Sequence, residues 1–247
     1  MFPIRDHNPS NRTPFVVYAL IAANLAVFLM QLPYMESERA IAGFWRDWAM
    51  IPAAVTQGGE VQGIFTSMFL HAGWMHLAGN MLFLWIFGDN LEDQLGHLGF
   101  LTFYIASGVA AALAHIAADP GSVIPTVGAS GAIGGVMGGY LLLFPRARVD
   151  ILVIFIVFFR VFTIPAFVML GLWFAMQIFS GVSTPNSGGG VAYWAHAGGF
   201  VAGIVFALPT WLKRGAKRYW RQTEGHPPHP EIDYSPSSIP IIRRHRK

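Results

Sequence analysis

Gly128-Ala-Ser-Gly-Ala-Ile-Gly-Gly-Val-Met-Gly-Gly-Tyr-Leu-Leu-Leu-Phe144 is an apolar run laden with glycine and headed by a single serine, Ser130. Its apolar part, Gly131 to Phe144, predicts a short helix inside a membrane bundle. A serine between glycines at a helix head has an exposed hydroxyl beside backbone N–H groups that no earlier turn can pair. Such N–H groups are natural donors to a developing oxyanion, because they are fixed before reaction begins. Gly-x-Ser-Gly in a glycine-rich helix also serves packing alone, and that reading stays open on this stretch by itself. Gly131, Gly135 and Gly139 form a stripe of small residues, with Ser130, Gly134 and Gly138 beside it.

A second stripe lies near the other end of the chain, in Ala195-His-Ala-Gly-Gly-Phe-Val-Ala-Gly203. Gly199 and Gly203 share a helix face with His196. Facing stripes of small residues let two membrane helices close to backbone contact. That closeness would bring the Ser130 hydroxyl within hydrogen-bond reach of the His196 imidazole, the arrangement a nucleophile and its base require. A lone membrane histidine is more often a structural hydrogen-bonder. No carboxylate lies near His196 in sequence, so a dyad is expected; Asp119 is the one acid worth testing as a third member.

The rest of the chain fits a polytopic membrane protein. Of 247 residues 54% are hydrophobic and only 12% charged, against about 25% charged in soluble domains. At about 20 residues per span, the apolar stretches Phe15–Leu32, Trp74–Leu91, Leu98–Ala117, Gly131–Phe144, Ile164–Phe179 and Val191–Leu212 predict an all-α bundle of six transmembrane helices. The first is read as retained rather than as a signal peptide, since no small-residue cleavage site closes it. The organisation expected is a cytoplasmic tail over 1–14, a membrane domain over 15–212 and a basic, disordered tail over 213–247. The chain has no cysteine, which excludes a thiol nucleophile, disulfides and Cys-ligated metal.

Of the 16 Lys and Arg, all but Arg39, Arg46 and Arg160 fall in the tails or the loop near 145–150. The bias of basic residues then puts both termini in the cytoplasm and Ser130 near the outer face. The tail after Lys213 mixes bases, serines and Pro227, Pro228, Pro230 and Pro236, a composition expected to stay disordered and to meet lipid headgroups rather than nucleic acid. Phe44, Trp45, Trp48, Met50 and Ile51, in the long outer connection from Pro33 to Gln62, read as an interfacial segment. Ile151 to Phe159 is too short to cross and is expected to extend the fifth span or lie at the inner surface.

A third polar site opens the second span: His71-Ala-Gly-Trp-Met-His76-Leu-Ala-Gly-Asn80. His76 and Asn80 are four apart and share one helix face. Polar side chains inside a membrane helix are functional candidates by default, although two of them also serve to bond a neighbouring helix.

These three motifs, in this order on these spans, resemble those of the rhomboid intramembrane proteases of bacterial type. Gly88-Asp-Asn-Leu-Glu92 is similar to a further Gly-x-x-x-Glu element of that family. The resemblance implies cleavage of other transmembrane proteins by Ser130 with His196 as base, and an oxyanion hole from the His76 and Asn80 side chains and the Ser130 N–H. It also implies supporting roles for His71, Gly128, Gly131, Gly199 and Gly203, and a site opening to the outer face. Two positions depart from the family pattern. Gln62 and Gly63 stand where many members have a Trp-Arg pair, for which Trp45-Arg46 is a candidate substitute. Gly134 stands where better-studied members stack an aromatic on the histidine, so another group must hold His196.

A non-catalytic relative that binds membrane clients is the alternative, and such relatives typically lose the serine or the histidine. A transporter using His71, His76, His115 and His196 lacks a charged residue at the centre of any span. A zinc protease lacks His-Glu-x-x-His. The expected partners are transmembrane substrates and the bilayer, without metal, cofactor or nucleic acid, in a bacterial plasma membrane. Natural substrate, oligomeric state and the gating element, whether the fifth span or the loop Gly181 to Gly190, are not encoded legibly.

Overall fold

The computed structural model describes residues 2–155, 158–184 and 191–228, with side chains described at all of these but 2, 154, 155 and 158. The long helices are α1 (Phe15–Gln31), α5 (Trp74–Leu95), α6 (His97–Ala118), α7 (Ser130–Leu143), α8 (Ala166–Ser183) and α9 (Tyr193–Lys213). Helices α1 (with the 3-10 turn Leu32–Glu36 that continues it), α6, α8 and α9 are long and apolar enough to cross a membrane. Helix α5 has 22 residues but ends in an acidic turn, and α7 has only 14. The expected spans and the observed helices agree to within a few residues at each end.

Helix α7 is the hub. Its residues from Ala132 to Tyr140 are all buried, and it packs most intimately on α9. The reason is the two glycine stripes. A methyl placed on Gly199 would fall on the carbonyl oxygen of Gly131, and one on Gly203 on that of Gly135. Any larger residue would push the backbones apart. The α7 stripe is turned from the expected pattern: added methyls on Gly131, Gly135 and Gly139 would meet Ala111, Ser107 and Phe103 of α6 first, while Gly134 and Gly138 beside them face the His196 and Phe200 carbonyls of α9. The far side of α7 seats Tyr140 against Phe87 and Phe144 in edge-on contacts.

Helix α1 is anchored from α5. The Glu92 carboxylate accepts from the N–H groups of Val16 and Val17, both at 2.9 Å, and contacts His97 Nδ1 at 2.5 Å. Pro14 offers no side-chain cap, so a carboxylate from another helix meets the positive end of α1.

Two expectations are revised at the end of the bundle away from Ser130. The segment expected to extend the fifth span or to lie at the inner surface does not prolong the helix; it forms a hairpin, β2 (Arg148–Phe155) and β3 (Phe158–Pro165), joined by β1 (Phe2–Asp6) in a three-stranded antiparallel sheet ordered β1-β2-β3. Branched and aromatic side chains favour the pleated surface, and Asp150 faces Thr163 across the ladder. The sheet runs directly into α8, which starts at Ala166 after Pro165. The tail is likewise ordered over Lys217–Thr223, as α10. Tyr219 is buried, the Trp220 ring lies 4.9 Å from Trp211, and Trp220 Nε1 donates to the Leu142 carbonyl at 2.9 Å. Its aromatics outweigh the basic and proline content on which disorder was expected; residues 229–247 lie outside the described residues.

The long connection between α1 and α5 folds as α2 (Glu38–Trp48), α3 (Pro52–Gly58) and α4 (Gly63–Thr66). Trp45-Arg46 does not anchor it, because the Arg46 side chain is exposed and, among the described residues, pairs only with its neighbour Asp47 at 3.9 Å. Backbone contacts hold the loop instead. Met50 and Thr126 exchange two hydrogen bonds, of 3.1 and 2.8 Å, and Gly63 packs on the Ala49 carbonyl with no room for a side chain.

Candidate active site

Ser130 is the first residue of α7 and Ala129 its cap, so the leading N–H groups of the helix have no partner within it. The bridge of Thr126 to Met50 and the bond from Gly128 N–H to Ser67 O (2.9 Å) fix the chain that leads into this turn. The serine is thus held by backbone on both sides.

The stripe packing of α7 on α9 brings Ser130 Oγ to 2.7 Å from His196 Nε2. The residues are 66 apart in sequence. The other imidazole nitrogen, Nδ1, lies 2.9 Å from Gln177 Oε1 on α8. Asp119 ends α6 and has no hydrogen bond to His196 among the described residues; the third group is an amide, not a carboxylate.

Gly134 cannot carry the aromatic that the resemblance would place there, because a Cβ would sit 2.9 Å from the His196 carbonyl oxygen. The ring against His196 comes from α8 instead. Trp173 lies 5.8 Å away, centroid to centroid, tilted by 30°.

His76, on α5, lies on the opposite side of the turn. Gly128 has φ +127°, and a Cβ on it would stand 2.8 Å from both Cε1 and Nε2 of His76. The His76 ring edge therefore lies directly over the Gly128 backbone. Ala72 N–H donates to His76 Nδ1 at 3.3 Å. His71 is fully buried with its ring edge-on to His76 at 5.1 Å. The Gln31 amide bonds its backbone on both sides, donating to the carbonyl at 2.6 Å and accepting from the N–H at 3.3 Å. Asn80 is buried, but its amide turns back to the His76 carbonyl at 3.1 Å. Among the described residues no hydrogen bond joins Asn80 to Ser130. Gly131, Gly199 and Gly203 act by closeness, as described above.

The sequence reading missed Gln31, Trp173 and Gln177. The two glutamines carried the signal already applied to the histidines, a polar group within an apolar helix. His115, considered above for an ion path, instead contacts Thr126 Oγ1 at 3.1 Å.

Chemically, the turn offers a hydroxyl bonded to an imidazole, backbone N–H groups at a helix start, and a second imidazole over the preceding glycine. That set suits acyl transfer, in which a nucleophile, a base and oxyanion donors must converge.

Comparison with known proteins bears on the family. The Rhomboid domain model matches residues 58–213. The chain is 33% identical over 202 residues to Rhomboid protein 1, mitochondrial, of Saccharomyces cerevisiae, covering 77% of this chain and 52% of that protein. It is 36% identical over 97 residues to the putative rhomboid protease YdcA of Bacillus subtilis (39% and 48% covered), and 40% identical over 83 residues to the rhomboid protease GluP of the same organism (34% and 16% covered). The chain therefore spans about half the length, or less, of these three relatives. Since these relatives and others include mitochondrial and chloroplastic proteins, the expected bacterial plasma membrane is not supported. With the motifs, the helical bundle and a domain match over most of its length in hand, the chain belongs to the rhomboid family of membrane proteins.

Proposed function

We propose that this protein is an intramembrane serine endopeptidase that cleaves transmembrane helices of other membrane proteins near the outer face, with Ser130 as nucleophile and His196 as base. The observation that carries the reading is the 2.7 Å contact between Ser130 Oγ and His196 Nε2. Membership of a family with named proteases supports it.

In this mechanism His196 Nε2 takes the hydroxyl proton as Ser130 Oγ bonds to the scissile carbonyl carbon. The negative charge that develops on the carbonyl oxygen is met by the Ser130 N–H and the His76 side chain, with Asn80 joining once its amide rotates off the His76 carbonyl. Donors aimed in advance at that oxygen contribute several kcal/mol each, roughly 3–4 by single deletions elsewhere. Collapse breaks the C–N bond, and His196 returns its proton to the departing amine. Water then repeats the sequence on the acyl-serine ester, releasing the acid and restoring Ser130. A substrate segment must unwind first, because a regular helix shields its peptide bonds with its own hydrogen bonds and side chains.

We further propose that six helices, α1 and α5–α9, cross the bilayer with both termini on one side. The basic residues of the N-terminal tail, the α7–β2 turn and α10 would all lie there, as positive charge flanking spans requires.

The test is mass spectrometry of products from a purified transmembrane model substrate. Cleavage at a single bond beside small residues is expected, and it should vanish in Ser130→Ala and in His196→Ala. Unchanged turnover in either variant would refute the assignment. No cleavage by the unaltered protein, together with no Ser130-dependent labelling by a fluorophosphonate, would favour a client-binding role.

A further inference from the structure

Helix α8 spends most of its surface outside the bundle. From Gly171 to Ser183 only Gln177 is buried, while Leu172, Met176, Ile178, Phe179 and Val182 are exposed. An amide turned inward on such a helix is costly unless both of its ends are bonded. Both are. Gln177 Nε2 lies 3.2 Å from the Trp173 carbonyl oxygen, and Oε1 lies 2.9 Å from His196 Nδ1.

The first contact decides the second. A backbone carbonyl only accepts, so the NH2 end of the Gln177 amide must face Trp173 O and the oxygen end must face the imidazole. An amide oxygen only accepts as well, so His196 Nδ1 must carry the hydrogen. The neutral ring then has its lone pair on Nε2, 2.7 Å from Ser130 Oγ. The opposite tautomer would set two lone pairs against each other at Nδ1 and leave Nε2 unable to accept the serine proton. Trp173, one turn earlier on α8, confines the same ring by its face. The other titratable groups near His196 are His76 on α5 and His115 on α6; no carboxylate bonds to it among the described residues.

We propose that Gln177 is a positioning residue that holds His196 in the tautomer able to deprotonate Ser130, so that the base is armed only while α8 lies against α9. This rests on the reading of Ser130 and His196 as the catalytic pair. Movement of α8 away from α9 breaks the Gln177 bond and frees the ring, so the helix whose face is most open to lipid also controls the readiness of the base.

The experiment joins ring nitrogen-15 NMR of histidine-labelled protein in micelles to cleavage kinetics, with His196→Ala to assign the signals. The unaltered protein should show His196 as a single tautomer protonated at Nδ1. Gln177→Leu should give a tautomer mixture and lower kcat by about 10- to 100-fold, the scale on which losing the group that orients a metal-bound imidazole acts, with KM within about twofold. Gln177→Glu should recover most of kcat and move the acid limb of kcat/KM to higher pH, since a nearby carboxylate favours the imidazolium. A Leu variant that keeps both tautomer and kcat overturns the proposal. So does a Glu variant as slow as Leu with its acid limb unmoved, which would mark a packing role. If the unaltered protein cleaves nothing, the catalytic reading falls, while the tautomer response to Gln177→Leu still decides the lock.

Discussion

The rings of His76 and His196 both present Nε2 to the Ser130 turn, but in opposite tautomers, each fixed by a neighbour that acts in only one sense. Ala72 N–H can only donate, so it occupies a lone pair on His76 Nδ1 and leaves the proton of that ring on Nε2, over Gly128. Gln177 Oε1 can only accept, so it holds the proton of His196 on Nδ1 and leaves the lone pair toward Ser130. One imidazole is thereby set to donate and the other to accept. Oxyanion donor and base are the two functions the proposed mechanism assigns to them.

Replacing His76 by Ala removes the donor and leaves the Ser130–His196 contact in place. The expected result is a fall in kcat of about 10²- to 10³-fold, the cost of deleting one oxyanion donor, with little change in KM. Steady-state kinetics on a detergent-solubilised substrate checks this. A loss expressed only as a higher KM would assign His76 to substrate binding.

Gly128→Ala should harm activity more than stability. The position has φ +127°, and the new methyl would meet His76 Cε1 and Nε2 at 2.8 Å. Backbone strain of this kind costs about 1–3 kcal/mol. The displaced imidazole should lower cleavage further, to an extent comparable with His76→Ala. Thermal unfolding measured beside turnover separates the two effects.

Glycines on two helices should respond oppositely to alanine. Gly203→Ala places a methyl on the Gly135 backbone and must part α7 from α9. Overpacking typically costs about 1–3 kcal/mol, and here it also lengthens the Ser130–His196 contact. Gly171, on α8, has nothing within 4 Å of an added Cβ. Its alanine variant should be neutral, or more stable by about 0.4–1 kcal/mol through loss of unfolded-chain entropy. Equal stability of the two variants would argue against the stripe packing.

The sheet should loosen in acid. Burial raises the Asp150 carboxyl, but hydrogen bonds from Thr163, His7 and Arg5 outweigh it and hold the group at about 2. A carboxylate whose pKa is depressed by folding stabilises the fold above its unfolded value, near 3.9, and that contribution is lost as pH falls through its folded value. Hydrogen-exchange protection of β1 should therefore be constant above about pH 5 and fall progressively between about pH 4 and 2. Asp150→Asn should weaken β1 at neutral pH and flatten this dependence.

The sequence alone determined the long apolar helices and their contents. Apolar runs of membrane length cannot fold otherwise in lipid, where each backbone polar group must be bonded within its own helix. It also placed His76, Asn80, Ser130 and His196 on particular helices and His71 just before one, because polar groups in or beside such runs stand out. It did not reveal the hairpin of β2 and β3, whose apolar run is too short to distinguish from buried helix by periodicity, nor α10, whose Trp220 finds its partners on α7 and α9. Only the tertiary structure decided what holds His196. Gln177 and Ser130 lie 19 and 66 residues from it in sequence, and their bonds depend on how three helices rotate about their axes. Helix rotation is set by which side chains, down to the absence of a methyl at Gly199 and Gly203, let the backbones approach. A linear pattern records each face but not the distance at which two faces meet.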